Sequence, residues 1–511
     1  MKRLNTICAM ATLLLAGVST IVSCTKDDEQ PVEGKTYHMT VTASKGGDNA
    51  KALTVDGNTI SATWAQGETV TVYNVTKGAA LTGTLSAQSS GDNTTLEGSL
   101  TGDIDAGDKL TLKFCSPDYS MQEGTLAYIA ANCDYAEATV TVASVAGGEI
   151  TASGNAAFEN EQAIVKFSLL DAGGTAISAS ALSVTVGDVI YAAVPASATN
   201  ELYVALPGIS GKAVTLSAKV GGQWYNKTQP SVTFVNGQYY TVAAKLEQKG
   251  MLPGTFSVGG GKKVHFSQGN LKYKSGTWSF HTNQYDFMGG TSHSVNDSTD
   301  LFGWVGASST ALISAPAMYG VSTSETPDDY GTSGSDNLKA DWCNLAISNG
   351  GNTANSGWQT LTGGDNNSAE WKYLFNTRTA STVGGTPNAH YAKATVDNKS
   401  GVILFPDVYT HPTGLTALQS VDISSAAYTT NNFNANAWAK MEAAGAVFLP
   451  AAGRRVGSSV DNAGTIGRYW SSTPGNLPYA RIASVTSDYV QPVDNNRRYR
   501  GFSVRLVCPV E

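Results

Sequence analysis

The most restrictive feature of this sequence is its period of two. Tyr37-His38-Met39-Thr40-Val41-Thr42 alternates polar and apolar side chains. Thr69-Val70-Thr71-Val72-Tyr73, Thr139-Val140-Thr141-Val142 and Ile164-Val165-Lys166-Phe167-Ser168-Leu169 do the same. Successive side chains of a strand point to opposite faces, so this spacing buries one row and leaves the other in water. Gly, Asn and Asp interrupt the runs, as in Asp56-Gly57-Asn58 and Gly102-Asp103. Turn signals at short intervals, with no helical stripe before residue 250, predict antiparallel strands packed as β-sandwiches. Further strands are expected over 182–186, 189–194, 202–206, 214–220 and 232–246. Asp171-Ala172-Gly173-Gly174 reads as a turn between two sets, which divides the region into sandwiches over 36–171 and 172–247.

Residues 248–254, with Gly250 and Pro253, read as a linker. Beyond it the composition changes: seven of the nine tryptophans lie after residue 250. Helices are expected over 337–349, 368–375 and 436–444, so 255–511 reads as one α+β domain. A chain of 511 residues accommodates two to four domains. Its apolar fraction of 41% is too high for a disordered chain, and its net charge of −8 lacks the basic footprint that nucleic acid requires.

The first 23 residues read as an export signal: Lys2 and Arg3, then an apolar run from Ile7 to Val22. Ile21-Val22-Ser23-Cys24 resembles the lipobox of bacterial lipoproteins. The resemblance implies cleavage before Cys24, acylation of Cys24 and a tether over 24–35. Lys26-Asp27-Asp28-Glu29 resembles the acidic export tag of surface-exposed lipoproteins of the Bacteroidota. The expected location is the outer membrane, lipid-anchored and facing outward.

Two family resemblances follow. Ile60-Ser61-Ala62-Thr63-Trp64, Gly67-Glu68-Thr69-Val70-Thr71-Val72-Tyr73, Gly124-Thr125-Leu126, Cys133-Asp134-Tyr135 and Phe234-Val235-Asn236-Gly237-Gln238-Tyr239-Tyr240 resemble segments of fimbrillin-like proteins of Bacteroidales. The second resemblance rests on Asp300-Leu301-Phe302-Gly303-Trp304, Asp341-Trp342, Glu370-Trp371-Lys372-Tyr373-Leu374-Phe375, Met441–Arg454, Tyr469-Trp470-Ser471-Ser472 and Gly501–Val507. These are similar to the Fibrobacter succinogenes major paralogous domain. Together the resemblances imply a mainly β chain: two transthyretin-like β-sandwiches followed by an α+β C-type-lectin-like domain. They imply a fimbrial or fimbria-like adhesin at the tip position, whose subunits associate by strand donation.

No nucleophile-and-base pattern for a hydrolase is present, and no two histidines stand at metal-binding helical spacing. The formylglycine-generating relatives of the lectin-like fold use paired cysteines, and Cys343 and Cys508 do not match that pair, so no enzyme is expected. Six cysteines include Cys8 and Cys24 in the leader. The pairs Cys115–Cys133 and Cys343–Cys508 stand as disulfide candidates beside the alternative of free buried thiols. No cofactor is expected beyond Ca²⁺, for which Asp365-Asn366-Asn367 and Asn296-Asp297 offer hard oxygen ligands.

The candidate ligand surface lies in 469–500. Tyr489, Asp494, Asn495, Asn496, Arg497, Tyr499 and Arg500 combine aromatic area with directed hydrogen bonding. In the related adhesins the stretch before the last strand displays such residues, which implies an extracellular glycan or protein ligand. Trp470, followed by Ser471-Ser472, reads as core. A stationary glycan-binding lipoprotein, outside any filament, is the alternative expectation.

Overall fold

The computed structural model describes residues 34–45, 54–56, 59–115, 117–290, 293, 298–304, 325, 345–353, 357–476 and 478–510. The leader, Cys24, Cys343 and Asn296-Asp297 lie outside them.

The first unit contains β1 (Lys35–Lys45), β2 (Thr54–Asp56), β3 (Thr59–Ser61), β4 (Thr69–Asn74), β5 (Ala79–Ala87), β6 (Asn93–Gly102) and β7 (Lys109–Phe114). Then come β8 (Met121–Gln122), α1 (Leu126–Asn132), β9 (Ala136–Ala146), β10 (Glu149–Ser153) and β11 (Ala156–Asn160). The alternation predicted from sequence is real: Val70, Val72 and Asn74 of β4 are buried while Thr69, Thr71 and Tyr73 are exposed. The sheet runs β1-β11-β9-β7-β4-β5-β6, and β6 pairs back onto β1. It is therefore a closed ring rather than two open layers. Its single core surrounds Trp64, which meets Phe114 and Phe158 edge-on at centroid distances of 5.7 and 5.0 Å.

The second unit comprises β12 (Ala163–Asp171), β13 (Ala179–Val186), β14 (Val189–Ala193), β15 (Glu201–Leu206), β16 (Ile209–Val220), β17 (Gln223–Phe234) and β18 (Tyr239–Gln248). The order is β15-β12-β18-β17-β16-β13-β14-β8. Since β12 pairs with β15 and, in parallel, with β18, the sheets part between residues 160 and 163. The sequence places that division at 171/172 because the turn there is a strong local signal, and pairing partners are not local.

One segment crosses between units. β8 leaves the first unit's chain and lies parallel to β14, pairing Met121 with Ala192 and Gln122 with Ala193. On its other side the Gln122 side chain substitutes for a strand. Its Oε1 accepts from Ala205 N at 2.9 Å, and its Nε2 donates to Ala205 O at 2.8 Å. Tyr203 N donates to Gly124 O at 2.9 Å. The segment thus bridges β14 and β15, the two ends of the second sheet.

The third unit begins with β19 (Phe256–Gly259), β20 (Lys262–Phe266), β21 (Leu271–Lys274), β22 (Thr277–Phe280) and β23 (Ser298–Thr299). Next are α2 (Glu370–Asn376), β24 (Tyr391–Val396), β25 (Lys399–Leu404), β26 (Asn432–Phe433), α3 (Ala435–Ala443) and β27 (Val447–Pro450). It ends with β28 (Arg454–Val456), β29 (Ser459–Asp461), β30 (Ile466–Pro474), β31 (Tyr479–Thr486), β32 (Val490–Arg497) and β33 (Val507–Pro509). Among the described residues these form several small sheets with two α-helices and a 3-10 turn at Tyr428–Thr430. α3 starts where Asn434 caps Ala437 N at 2.9 Å. α2 starts at Glu370 rather than at 368, and Thr362 Oγ1 accepts from Glu370 N at 3.0 Å. Of the helix expected over 337–349, the described part is a turn in which Ile347 bridges to Trp278.

The linker expected over 248–254 is a packed seam. Leu252 is buried, and Gly254 lies so close to Gly445 that a Cβ would meet Gly445 O at 2.2 Å. Trp224 of β17 joins the core of the third unit beside Leu252 and Phe256. Lys219 of β16 pairs with Glu442 of α3 at 2.6 Å. Gln284 Nε2 donates to the other Glu442 oxygen at 3.0 Å, while Gln284 Oε1 accepts from Arg505 Nη2 at 2.8 Å. Ser183 Oγ donates to Ala443 O at 2.7 Å.

Candidate functional site

The sequence motifs of the third unit are mostly framework. Trp470 Nε1 donates to Phe302 O at 2.6 Å, and Trp304 Nε1 donates to Ser471 O at 3.1 Å. Asp300 is buried, accepting from Met288 N at 2.7 Å and lying 3.0 Å from His281 Nε2. Arg378, two residues past α2, is buried against Asp407 at 3.1 Å. Ridges of this kind hold the scaffold and leave little for a ligand.

The ligand surface read from sequence falls on the β31–β32 ribbon at the rim of a three-stranded sheet. Pro492, which has no N–H to give a neighbour, is consistent with an edge position for β32. Register places Tyr479 opposite Arg497 and Arg481 opposite Asn495. Opposed residues share a face. Ala480 and Ile482, which alternate with them, are buried. The outward face therefore carries Tyr479, Arg481, Asn495 and Arg497 together. Asp365 reaches it from a loop, its Oδ2 3.0 Å from Arg481 Nη2.

The seven predicted residues divide. Asn495 and Arg497 are exposed on that face. Tyr489 is exposed but sits at the far end of the ribbon, beside the turn after β31. Asp494 accepts from Asn495 N at 2.7 Å, and Asn496 accepts from Arg497 N at 3.0 Å, so both partly serve their own backbone. Arg500 Nη1 also donates to Asn496 at 2.9 Å. Tyr499 is buried, with the Arg497 guanidinium 6.0 Å from its ring centre. Its hydroxyl is the main cause of a raised Arg497 pKa. The adjacent Arg498 is fully buried, 4.4 Å over the Trp304 ring, so the two arginines differ entirely in role. Tyr479 and Arg481, within the 469–500 stretch read from sequence, complete the face through pairing with β32.

The oxygens expected to serve Ca²⁺ hold an ammonium: Lys372 Nζ donates to Asp365 O at 2.7 Å and to Asn367 Oδ1 at 3.1 Å. Among the described residues no cluster of three His, Cys, Asp or Glu side chains is placed to hold a metal. Cys115 and Cys133 are not joined. Cys133 packs with Tyr119, Ile129, Ile164 and Ala205, and burial pushes its thiol up to about 12. Cys115 follows β7 directly, exposed and at φ 59°. Cys508 is buried on β33, and its expected partner Cys343 is outside the described residues.

A second concavity was not legible in the sequence. A cleft of about 820 Å³ lies between the second and third units, lined by Tyr225, Asn226, Lys227, Glu247, Lys249 and Trp358 among others. Clefts of this size at domain junctions commonly take small ligands.

No family description matches the chain, and no curated protein matches it. Solved structures that align with it include a fimbrial assembly protein from Parabacteroides distasonis, at 10% identity over 45% of this chain and 94% of that one, with TM-score 0.23. The tip fimbrial protein from Porphyromonas gingivalis, solved with a C-terminal truncation, aligns at 12% identity over 41% and 95%, with TM-score 0.23. A fimbrial protein from Bacteroides ovatus aligns at 12% identity over 93% and 100%, with TM-score 0.21. Superpositions this loose leave any assignment to the chain's own residues and geometry.

Proposed function

We propose that this protein is a lipid-anchored surface adhesin of fimbrial type, held through Cys24, that binds an anionic extracellular glycan through the third unit. The observation that carries the reading is the outward face of the β31–β32 ribbon. Tyr479, Arg481, Asn495 and Arg497 stand together there with their backs to a packed core. Guanidinium groups give forked hydrogen bonds to carboxylate or sulfate, and the tyrosine ring gives a stacking surface for a sugar. The role is binding rather than turnover. The lipobox-like Ile21-Val22-Ser23-Cys24 supports the anchor, and the fimbrillin-like and major-paralogous resemblances support the adhesin role and a tip position.

The test is an array of glycans and extracellular proteins probed with the full chain, with and without chelator. Changing Arg481 and Arg497 together to Ser should weaken binding to acidic glycans at least about tenfold while leaving the melting temperature unchanged. Equal binding by the double variant removes the ribbon from the proposal. The cleft favours a second reading, a stationary glycan receptor outside any filament. Loss of binding on Tyr225→Ala, with the ribbon variant unaffected, selects it.

A further inference from the structure

The inward row of β1 runs Met39, Val41, Ala43 and then Lys45. Strand alternation thus drives a primary amine into the core of the first unit, where Lys45 is 3% exposed. Its Nζ lies 3.4 Å from the Phe114 ring centre and 4.5 Å from that of Trp64. Two carboxylates meet it there. Glu68 Oε2 is 3.3 Å away and is itself fixed by Ala65 N at 2.9 Å. Asp134 Oδ2 is 3.6 Å away.

A plain ion pair would leave one of these acids surplus, and burying charge among aromatic rings is costly. Dry surroundings favour the uncharged form of an amine and of an acid. The Asp134 carboxyl is raised above the ordinary carboxylate range, chiefly by burial. A buried amine beside an acid that burial pushes toward its uncharged form, with a second carboxylate in reach of the amine, is an arrangement for condensation.

We propose that Lys45 and Asp134 form an intramolecular amide, with Glu68 moving the proton. The Nζ lone pair attacks Cγ of Asp134, and the C–N bond forms as the carbonyl π bond opens to a tetrahedral centre. Glu68 takes a proton from nitrogen and returns it to the departing hydroxyl. The C–O bond breaks, one water leaves, and Glu68 ends as it began. No oxidant, reductant or cofactor takes part. The enclosing rings then deny water access for the reverse reaction. The bond ties the end of β1, across β11, to the chain entering β9.

The test is peptide mapping by mass spectrometry of the reduced, full-length protein purified from membranes. The expected product is a joined peptide pair containing Lys45 and Asp134, one water lighter than the two peptides combined. Glu68→Gln and Asp134→Ala should each abolish it, from near-complete linkage to none. Recovery of the wild-type Lys45 and Asp134 peptides separately overturns the proposal, whether or not either variant folds. Linkage that persists in Glu68→Gln removes the proton-transfer role assigned to Glu68.

Discussion

Glu442 shows how much a single side chain can hold. It is buried at the seam, paired with Lys219 from the second unit and bonded to Gln284, which in turn holds Arg505. Burial lowers the Arg505 pKa to about 10, and the nearby Tyr469 and Glu442 oppose that shift. Removing one partner of a buried pair leaves the other without compensation. Glu442→Ala should therefore destabilise the joined units by about 3 kcal/mol, read as a lower urea midpoint. Acid should act on the same unit through histidine. Burial lowers the pKa of both His265 and His293 below the ordinary 6.5. Their neutral forms are thus favoured in the folded state, and the unfolded chain binds more protons between the folded and ordinary values. Stability contributed by these groups is complete above pH 6.5 and declines as pH falls below it. Melting temperature measured from pH 7.5 to 5 should fall, and His265→Gln should flatten part of the slope. At this scale the sequence was partly legible. Arg497 and Asn495 could be picked out by residue type, whereas the burial of Arg498 next door depends on Trp304, nearly two hundred residues away. Lys45 was invisible as a reactive group, because lysine ordinarily marks the wet row of a strand, and Glu68 and Asp134 arrive only when the ring closes.

Among the elements, strand existence was far easier to read than strand partnership. Alternation marks β4 and β12 directly, since one face of each is buried. It says nothing about which neighbour a strand takes, which is why β12 falls in the second sheet. Two-residue β8 carries no periodicity at all, yet it connects β14 with β15. Replacing its Gln122 with Ala would leave the Ala205 N–H and C=O buried without partners. The expected cost is roughly 2–4 kcal/mol, and amide exchange at Tyr203 and Ala205 should quicken while exchange on β4 stays unchanged. The helices were legible where caps lie close in sequence, as at Asn434. At the start of α2, Glu370 N bonds to Thr362, eight residues upstream, a contact that escaped local reading.

For the whole molecule, the Gly250 and Pro253 signal and the tryptophans beyond it say nothing of how the third unit is attached. Trp224 and Lys219 belong by sequence to the second unit and by packing to the third. The second and third units should consequently melt together, with the first unit giving a separate transition in calorimetry. Separate transitions for the second and third units would contradict the shared seam. The crossing of β8 has a further consequence for how such chains diversify. Gene segments exchanged between paralogues at residue 161 would keep the reading frame and every strand of the second sheet except the one that closes it. A recombinant would inherit a foreign wedge against β14 and β15, so the first two units should be inherited as a pair even where the binding end varies freely.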